Sequence, residues 1–189
     1  MPRIIAGENK GRPLKTPAGT HTRPTAARVR QTLFDILAPR LQGCRFLDAF
    51  AGGGGIGLEA LSRGAARVVF VDSNAAALQA LRENLAGLRG LGATQVLRQD
   101  SRLALAALAD AGVRFDIVYV DPPYESDLYE PLIEQLSLTG LVEPDGLVVV
   151  EHFHKRLLPE TMGRLHRTRE VRVGDHRLSF YRTSRGARA

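Results

Sequence analysis

Acidic side chains follow three successive apolar segments of the sequence. Asp48 follows RFL within the segment RFLDAF, Asp72 ends RVVFVD and Asp100 ends TQVLRQD. A carboxylate accepts hydrogen bonds from hydroxyl and amine groups, and it attracts a cationic ligand. Any one of these acids is explained equally well as the N-cap of a following helix. Their recurrence at three segment ends favours a shared binding site.

A glycine-rich stretch begins close behind the first of these acids. Residues 48–57 read DAFAGGGGIG and carry the spacing G-x-G-x-x-G at Gly52, Gly54 and Gly57. Glycines let a ligand approach the backbone closely, and this spacing between a strand and a helix indicates a nucleotide-binding loop. A carboxylate at Asp48 would repel a pyrophosphate. It would attract S-adenosylmethionine, which carries an ammonium and a sulfonium and no phosphate.

These patterns together predict a site for S-adenosylmethionine. We expect Asp72 to accept the two ribose hydroxyls, and Asp100 with Ser101 to lie within reach of the adenine amino group. The full predicted set of cofactor-binding residues is Asp48, Phe50, Ala51, Gly52, Gly54, Gly57, Asp72, Ser73, Asp100 and Ser101.

A second motif follows the fourth apolar segment. The sequence VYVDPPY ends in Asp121, Pro122, Pro123 and Tyr124, and its two prolines make the turn stiff. The Asp121 carboxylate and the Pro122 carbonyl are two acceptors for the N–H groups of an exocyclic base amine, an arrangement that frees the nitrogen lone pair for methylation. Tyr124 offers a face on which a planar base can stack. We therefore predict catalysis by positioning, with Asp121 as a candidate acceptor of the released proton.

The apolar pattern predicts the elements that hold these residues. Continuous apolar runs predict five strands, at 45–50, 67–72, 94–100, 115–121 and 146–152. Between them, segments with three- and four-residue apolar spacing predict helices at 55–64, 74–89, 102–111 and 127–138. Strands that alternate with helices predict a mostly parallel sheet covered on both faces.

The end of the chain breaks this alternation. REVRV at 169–173 and HRLSFYR at 176–182 flank Gly174-Asp175, which predicts an antiparallel hairpin with a type II′ turn. The expected fold is therefore α/β, with the seven-stranded sheet of Rossmann-like class I S-adenosylmethionine-dependent methyltransferases. We expect residues 1–40, with a helix from Thr25 to Leu37, to form a basic appendage that binds RNA or covers the cofactor. Residues 41–189 are then the methyltransferase domain.

Charge is distributed unevenly along the 189 residues. Residues 1–40 carry a net charge of +6, residues 41–151 carry −7 and residues 152–189 carry +7. Two basic ends around an acidic middle suggest a polyanionic partner, although the final TSRGARA is expected to be a solvated tail. The basic residues predicted to bind RNA are Arg3, Lys10, Arg12, Lys15, Arg23, Arg28 and Arg30. For Arg23 and Arg28, packing over the cofactor is an equally good prediction.

The remaining composition argues against other kinds of site. One cysteine, Cys44, allows no intramolecular disulfide, and His152 with His154 lacks a further ligand at a suitable spacing, so we predict no metal site. No stretch has the length of a membrane helix, and the N-terminus lacks an apolar signal region. We expect a cytoplasmic monomer with no membrane partner.

Several stretches resemble the bacterial small-subunit rRNA guanine-N2 methyltransferase family called RsmD. They are RIIAGENKGRPL, RPTAARVRQTLFDIL, FLDAFAGGGGIGLEALSRGA, FVD, DPPY and the closing LSFYR. The resemblance runs along almost the whole chain, and RPT…RVR…LF is its most family-specific part. One departure is Gly53, where such loops often carry serine.

The resemblance implies both substrates and the role of each motif. The implied methyl donor is S-adenosylmethionine, and the implied acceptor is a guanine of 16S rRNA, within an assembling small ribosomal subunit. Asp48, Gly52 and Gly54 are implied to hold the methionine part, Asp72 the ribose and Asp100 the adenine. The residues Asp121, Pro122, Pro123 and Tyr124 are implied to hold the target base.

Three other functions compete with this interpretation. A DNA amino-methyltransferase also uses DPPY, but it usually needs a recognition domain for which 189 residues leave little room. A dinucleotide-dependent oxidoreductase is disfavoured by Asp48 beside the glycine loop. A non-catalytic RNA-binding module would not need DPPY together with three acids at strand ends.

Overall fold

In the computed structural model, which describes residues 1–16, 25–123 and 126–183, the chain divides into two units. Unit 1 comprises Met1–Ser101 and unit 2 comprises Arg102–Ala189. The predicted boundary near residue 40 is not a limit of either unit and stays a prediction. No helix in the described part of the chain combines the length and the apolar content that crossing a membrane requires.

Unit 1 alternates helices with short parallel strands. Its elements are α1 (Thr25–Leu41), β1 (Arg45–Asp48), α2 (Gly55–Ser62), β2 (Arg67–Asp72), α3 (Ala75–Ala86) and β3 (Ala93–Arg98). Strand β2 lies between the other two and pairs in parallel with both, with Asp48 opposite Phe70 and Asp72 opposite Arg98. All four residues from Val68 to Val71 are buried, which explains why this strand is a continuous apolar run.

The first sixteen residues pack onto the rest of unit 1. The backbone turns back on itself through an antiparallel bridge between Arg3 and Pro13, and Ile4 and Leu14 are each 2% exposed. The carboxylate of Glu59 on α2 accepts the backbone N–H groups of Ile5 at 2.7 Å and of Ala6 at 3.0 Å. We call residues 1–16 the N-terminal segment.

Unit 2 begins with parallel strands and ends with antiparallel ones. Its elements are α4 (Ser101–Asp110, which begins at the last residue of unit 1), β4 (Phe115–Val120), α5 (Tyr129–Leu138), β5 (Val142–Phe153), β6 (Thr161–Met162), β7 (Leu165–Val173) and β8 (His176–Thr183). Strand β5 is parallel to β4 and antiparallel to β8, and β7 is antiparallel to both β8 and β6. The φ angle of Gly174 is +62°, as the first position of a type II′ turn requires.

The predicted α/β class, with parallel strands first and antiparallel strands at the end, is confirmed. The described residues contain eight strands, one more than predicted, because β6 is only two residues long and leaves no apolar pattern. Helix α1 continues through Pro39 to Leu41, four residues beyond the predicted end, and Leu37 and Leu41 are both buried one turn apart.

Candidate active site

The glycine loop connects β1 to α2 and has a backbone that only glycine adopts easily. Gly54 precedes the helix with a φ of +87°, and a Cβ there would lie 2.4 Å from a methyl carbon of Leu81. A Cβ on Gly57 would lie 2.2 Å from the ring of Phe70. Gly57 thus lets α2 pack closely on β2, and Gly54 lets the chain turn into the helix.

Asp48 lies at the end of β1 and is only 1% exposed. Its Oδ2 accepts the backbone N–H of Gly57 at 2.9 Å, whereas its Oδ1 is buried with no hydrogen-bond partner among the described residues. Burial raises the pKa of Asp48 to about 7; the backbone N–H groups of Gly57 and Phe50 oppose that rise, and the nearby charge of Asp72 adds to it. An unpartnered carboxylate oxygen inside a protein favours a cationic hydrogen-bond donor as its ligand.

Asp72 lies at the end of β2 and holds two parts of the backbone. Its Oδ2 accepts the N–H of Gly52 and its Oδ1 accepts the N–H of Asn74, both at 2.7 Å. A carboxylate has about four acceptor positions, so each oxygen keeps a lone pair for a further donor. Asp72 therefore fixes the glycine loop in place and still has capacity for two ligand hydroxyls.

The other predicted cofactor residues lie near the same strand ends or support them. The Ser101 hydroxyl is buried and donates to the Ala49 carbonyl at 2.6 Å, and the Ala51 N–H donates to the Val71 carbonyl at 2.8 Å. Ser73 and Asp100 are exposed, and Phe50 is half-buried. The structure thus brings Asp48, Asp72, Ser101 and the loop together, with Ser101 bonded to the loop backbone.

The residues at the ends of β1 and β2, together with the glycine loop, fit S-adenosylmethionine. The unpartnered Oδ1 of Asp48 matches an ammonium, and Gly52, with a φ of +53°, has no atom within 4 Å of where a Cβ would stand. A pyrophosphate would meet two carboxylates here, Asp48 and Asp72. The donor set thus favours a cationic amino acid group and hydroxyls over a dinucleotide.

In unit 2, the DPP turn follows β4. Asp121 is half-buried, Pro122 is buried and Pro123 is exposed, while Tyr124 lies outside the described residues. The Tyr129 hydroxyl, at the start of α5, donates to the Pro122 carbonyl at 3.4 Å, and the Ser126 N–H donates to the Pro123 carbonyl at 2.9 Å. A carbonyl has two lone pairs, so Pro122 keeps one for another donor.

Arg156, which the sequence did not predict as a site residue, contacts the residues that follow this turn. The Arg156 guanidinium lies 4.5 Å from the centroid of the Tyr129 ring and donates to the Ser126 carbonyl at 3.1 Å. It also approaches Glu130 at 3.4 Å. Tyr129 meets His152 edge-on, with ring centroids 6.5 Å apart. The sequence offered no signal for Arg156, because its partners lie 26 and 30 positions earlier in the chain.

A buried polar cluster lies on the strands beside the turn. Val120 pairs with Val150, so Asp121, the first residue after β4, follows at the level of Glu151 within β5. Glu151 is buried, accepts a hydrogen bond from the Tyr119 hydroxyl and lies 2.6 Å from Nδ1 of His176. In the part of the chain that the structure describes, no group of three or more His, Cys, Asp or Glu side chains could hold a metal ion.

The six basic residues predicted to bind RNA that the structure describes fall into three groups. Lys10, Arg12 and Arg28 are exposed, and so is Arg3, which donates to the Gly11 carbonyl at 2.8 Å. Lys15 is exposed but forms an ion pair with Glu83 at 2.7 Å. Arg30 is 8% exposed, donates to the Arg3 carbonyl at 2.5 Å, and has its pKa lowered by burial. Arg23 lies outside the described residues. The position of Arg30 favours a structural role over a phosphate contact.

A family model and a curated relative agree on the family to which this chain is similar. A family model described as Conserved hypothetical protein 95 matches residues 2–182. Ribosomal RNA small subunit methyltransferase D of Escherichia coli (strain K12) is 41% identical over 157 residues, which cover 83% of this chain and 77% of that protein.

Solved structures agree in fold. A hypothetical protein of Thermus thermophilus superposes with a TM-score of 0.83 at 34% identity, covering 97% of this chain and all of that chain. The SAM-dependent methyltransferase from Agrobacterium tumefaciens shares the fold at 22% identity, with a TM-score of 0.59 over 72% of this chain and 47% of that chain. The predicted methyltransferase fold and the resemblance carried by the motifs are confirmed. The family model spans nearly the whole sequence, and the chain belongs to the ribosomal RNA small subunit methyltransferase D family.

Proposed function

We propose that this chain transfers a methyl group from S-adenosylmethionine to the exocyclic N2 amine of a guanine in 16S rRNA. Membership of the methyltransferase D family supports the reaction class and the small-subunit rRNA. The observation that carries the cofactor assignment is the buried Oδ1 of Asp48, which has no hydrogen-bond partner among the described residues and suits a cationic ligand.

The cofactor-binding roles follow from the acceptors at the strand ends. Oδ1 of Asp48 binds the ammonium, and the remaining lone pairs of Asp72 accept the ribose hydroxyls. Asp100 is the proposed partner of the adenine amino group. S-adenosylmethionine supplies an electrophilic methyl group on a sulfonium, and the backbone of the glycine loop sets its orientation.

The acceptor base is proposed to bind at the DPPY motif. Asp121 and the Pro122 carbonyl accept the two N–H groups of the guanine amine, which frees the nitrogen lone pair for attack on the methyl carbon. As the N–C bond forms and the C–S bond breaks, Asp121 accepts the proton that the amine releases. Tyr124 is proposed to stack on the base after it has left its own stack in the RNA.

The setting of the reaction is inferred from the substrate. An rRNA substrate places the reaction in the cytoplasm, and we propose an assembling small ribosomal subunit as the partner of a monomeric enzyme. The exposed Arg3, Lys10, Arg12 and Arg28 are the proposed phosphate contacts, since basic side chains supply most of the affinity for a nucleic acid backbone.

Methyl transfer to ribosomal subunits tests this proposal. Small subunits that lack the modification are incubated with the protein and tritiated S-adenosylmethionine, and the RNA is then digested to nucleosides. We expect the label in N2-methylguanosine. Label in N6-methyladenine of added DNA, with none in the rRNA, would replace this function with that of a DNA amino-methyltransferase. Calorimetry that detects NAD but not S-adenosylmethionine would point to an oxidoreductase.

A further inference from the structure

Asn84 connects the N-terminal segment to the glycine loop. This residue of α3 is 5% exposed, and its side chain forms three hydrogen bonds. Its Oδ1 accepts the Lys15 N–H at 2.7 Å, and its Nδ2 donates to the Lys15 carbonyl at 3.0 Å and to the Gly53 carbonyl at 2.8 Å. One buried amide therefore pairs with the backbone of the segment as a neighbouring strand would, and also holds the middle of the loop.

A second asparagine attaches the same segment without touching the loop. Nδ2 of Asn9 donates to the Arg89 carbonyl at 2.9 Å, and its Oδ1 accepts the Arg89 N–H at 3.1 Å. Its own backbone N–H donates to the Ser62 hydroxyl at 3.0 Å. Asn9 and Asn84 thus each pair a side-chain amide with a backbone amide unit, but only Asn84 also bonds to Gly53.

The bond to Gly53 matters because the loop carries the groups proposed to face the cofactor. Gly53 stands between Gly52, whose N–H is held by Asp72, and Gly54, whose N–H donates to the Ala51 carbonyl at 2.7 Å. Gly53 has no side chain with which to hold its own peptide. The Asn84 amide therefore supplies an external support for this part of the loop.

We infer that Asn84 is a positioning residue that couples docking of the N-terminal segment to the shape of the glycine loop. Loss of the segment from α3 removes two of the three bonds that orient the Asn84 amide, and so loosens its hold on Gly53. By linkage, a ligand that orders the loop also strengthens docking of the segment, and a partner that binds the docked segment more tightly than the undocked one strengthens ligand binding. The identities of the ligand, S-adenosylmethionine, and of the partner, rRNA, rest on the proposed function.

The first test uses the full-length protein without cofactor. Hydrogen exchange is measured on the backbone of residues 50–58 in the wild type, in Asn84→Ala and in Asn9→Ala. Each variant removes one side-chain amide that holds the N-terminal segment to the rest of unit 1. We therefore expect both to lower Tm to a similar extent. Only Asn84→Ala should speed exchange in the loop. Asn84→Asp, which keeps the acceptor for Lys15 but loses both donated bonds, should speed it as well, and serves if the alanine variant does not fold.

The second test measures binding of S-adenosylmethionine by calorimetry. A hydrogen bond of ordinary strength corresponds to a change of about fivefold in Kd, so we expect Asn84→Ala to raise Kd about fivefold to tenfold. Asn9→Ala leaves the Asn84 and Glu59 bonds to the segment in place, so the segment should stay docked and Kd should change by less than about twofold. In the wild type, the cofactor should also slow exchange in residues 3–14, and in Asn84→Asp this slowing should be lost.

Equal effects of Asn9→Ala and Asn84→Ala on Kd and on loop exchange would overturn the inference, because Asn84 would then act only through general docking. Unchanged loop exchange in both Asn84 variants would overturn it too. If the wild type fails to bind S-adenosylmethionine while loop exchange still responds to Asn84 alone, the coupling stands and the proposed function fails. The two ideas are thereby tested separately.

Discussion

Oδ2 of Asp48 accepts the backbone N–H of Gly57 at 2.9 Å, and the other oxygen of the same carboxylate is buried without a hydrogen-bond partner among the described residues. One oxygen thus ties β1 to the first turn of α2, while the second is available to a ligand. Burial accounts for most of the rise in the Asp48 pKa to about 7.

The affinity for S-adenosylmethionine should therefore depend on pH. The cationic ligand needs the ionised carboxylate, so below about pH 7 each pH unit should weaken binding up to about tenfold. Above about pH 8 the ligand's own ammonium loses its proton, and the affinity should fall again. Calorimetry from about pH 5.5 to about pH 8.5 checks this profile, and in Asp48→Asn the acid limb should disappear along with most of the affinity.

The same raised pKa should be visible in thermal stability without ligand. Between the unfolded pKa of 3.8 and the folded pKa of about 7 only the folded state keeps the proton, so the contribution of Asp48 to stability is lost as pH rises through this range. Asp48→Asn should therefore melt above the wild type at about pH 8, by about 2–4 °C per kcal/mol of relieved burial cost. The difference should shrink towards about pH 4, and a constant difference would contradict the assignment.

Removing the Asp121 carboxylate should stop methyl transfer without stopping cofactor binding. General acid–base catalysis contributes about 100-fold to 10,000-fold, so Asp121→Ala should lose at least about 100-fold in single-turnover rate. Asp121→Asn keeps one acceptor and should be intermediate. Asp127→Ala, which removes an exposed acid from the same unit, is the control. Transfer by Asp121→Ala at the wild-type rate would refute the proposed role of the DPPY motif.

The Tyr129 hydroxyl should matter for rate through its bond to the Pro122 carbonyl. Tyr129→Phe keeps the ring that packs on Arg156 but loses this bond, and a loss of about 1 kcal/mol corresponds to a rate about fivefold lower. Tyr181→Phe is a matched control, since that hydroxyl donates to the Pro159 carbonyl at 2.8 Å elsewhere in unit 2. Equal rate losses in the two variants would indicate general destabilisation instead.

Exposed cations of the N-terminal segment should set part of the salt dependence of RNA binding. A plot of the logarithm of the binding constant against the logarithm of the salt concentration has a negative slope. Its magnitude is about 0.7 for each phosphate neutralised on a single strand. Lys10→Ala combined with Arg12→Ala should therefore lower the slope by about 1.4 and leave cofactor affinity unchanged. The pair Arg82→Ala and Arg98→Ala removes two exposed cations elsewhere in unit 1. If the slope falls equally in the Arg82→Ala and Arg98→Ala double variant, then overall charge, and not the N-terminal segment, sets the salt dependence.

The sequence pattern located the end of β2 because burial along that strand is continuous, whereas β1 and β3 end two residues before their predicted ends, at Asp48 and Arg98. RVVFVD became β2 at the predicted bounds, since every residue from Val68 to Val71 is buried. The position of Asp72 after this run, and hence its place beside the glycine loop, followed directly. Glycine spacing likewise predicted the loop, where Gly54 and Gly57 are required by φ angle and by close packing.

Charge and composition predicted less about individual polar side chains. Arg30 counted as a basic residue for RNA, yet it is buried, and its guanidinium donates to the Arg3 carbonyl, 27 positions earlier in the chain. Asn84 follows Leu81 at helical spacing, and a polar residue in that apolar stripe was the one available signal of its role. Its partners Lys15 and Gly53 lie 69 and 31 positions away, and only the folded chain brings them together.

The N-terminal segment is synthesised before the residues that hold it in place. Residues 1–16 leave the ribosome before the groups that hold them, on Glu59, Ser62, Asn84 and Arg89, which lie 53 to 80 positions later in the chain. Contacts of such long sequence separation form slowly, because a large loop must close first. A nascent chain therefore cannot complete the contacts of this basic segment until Arg89 has emerged, after five of the six helices and strands of unit 1 have been made.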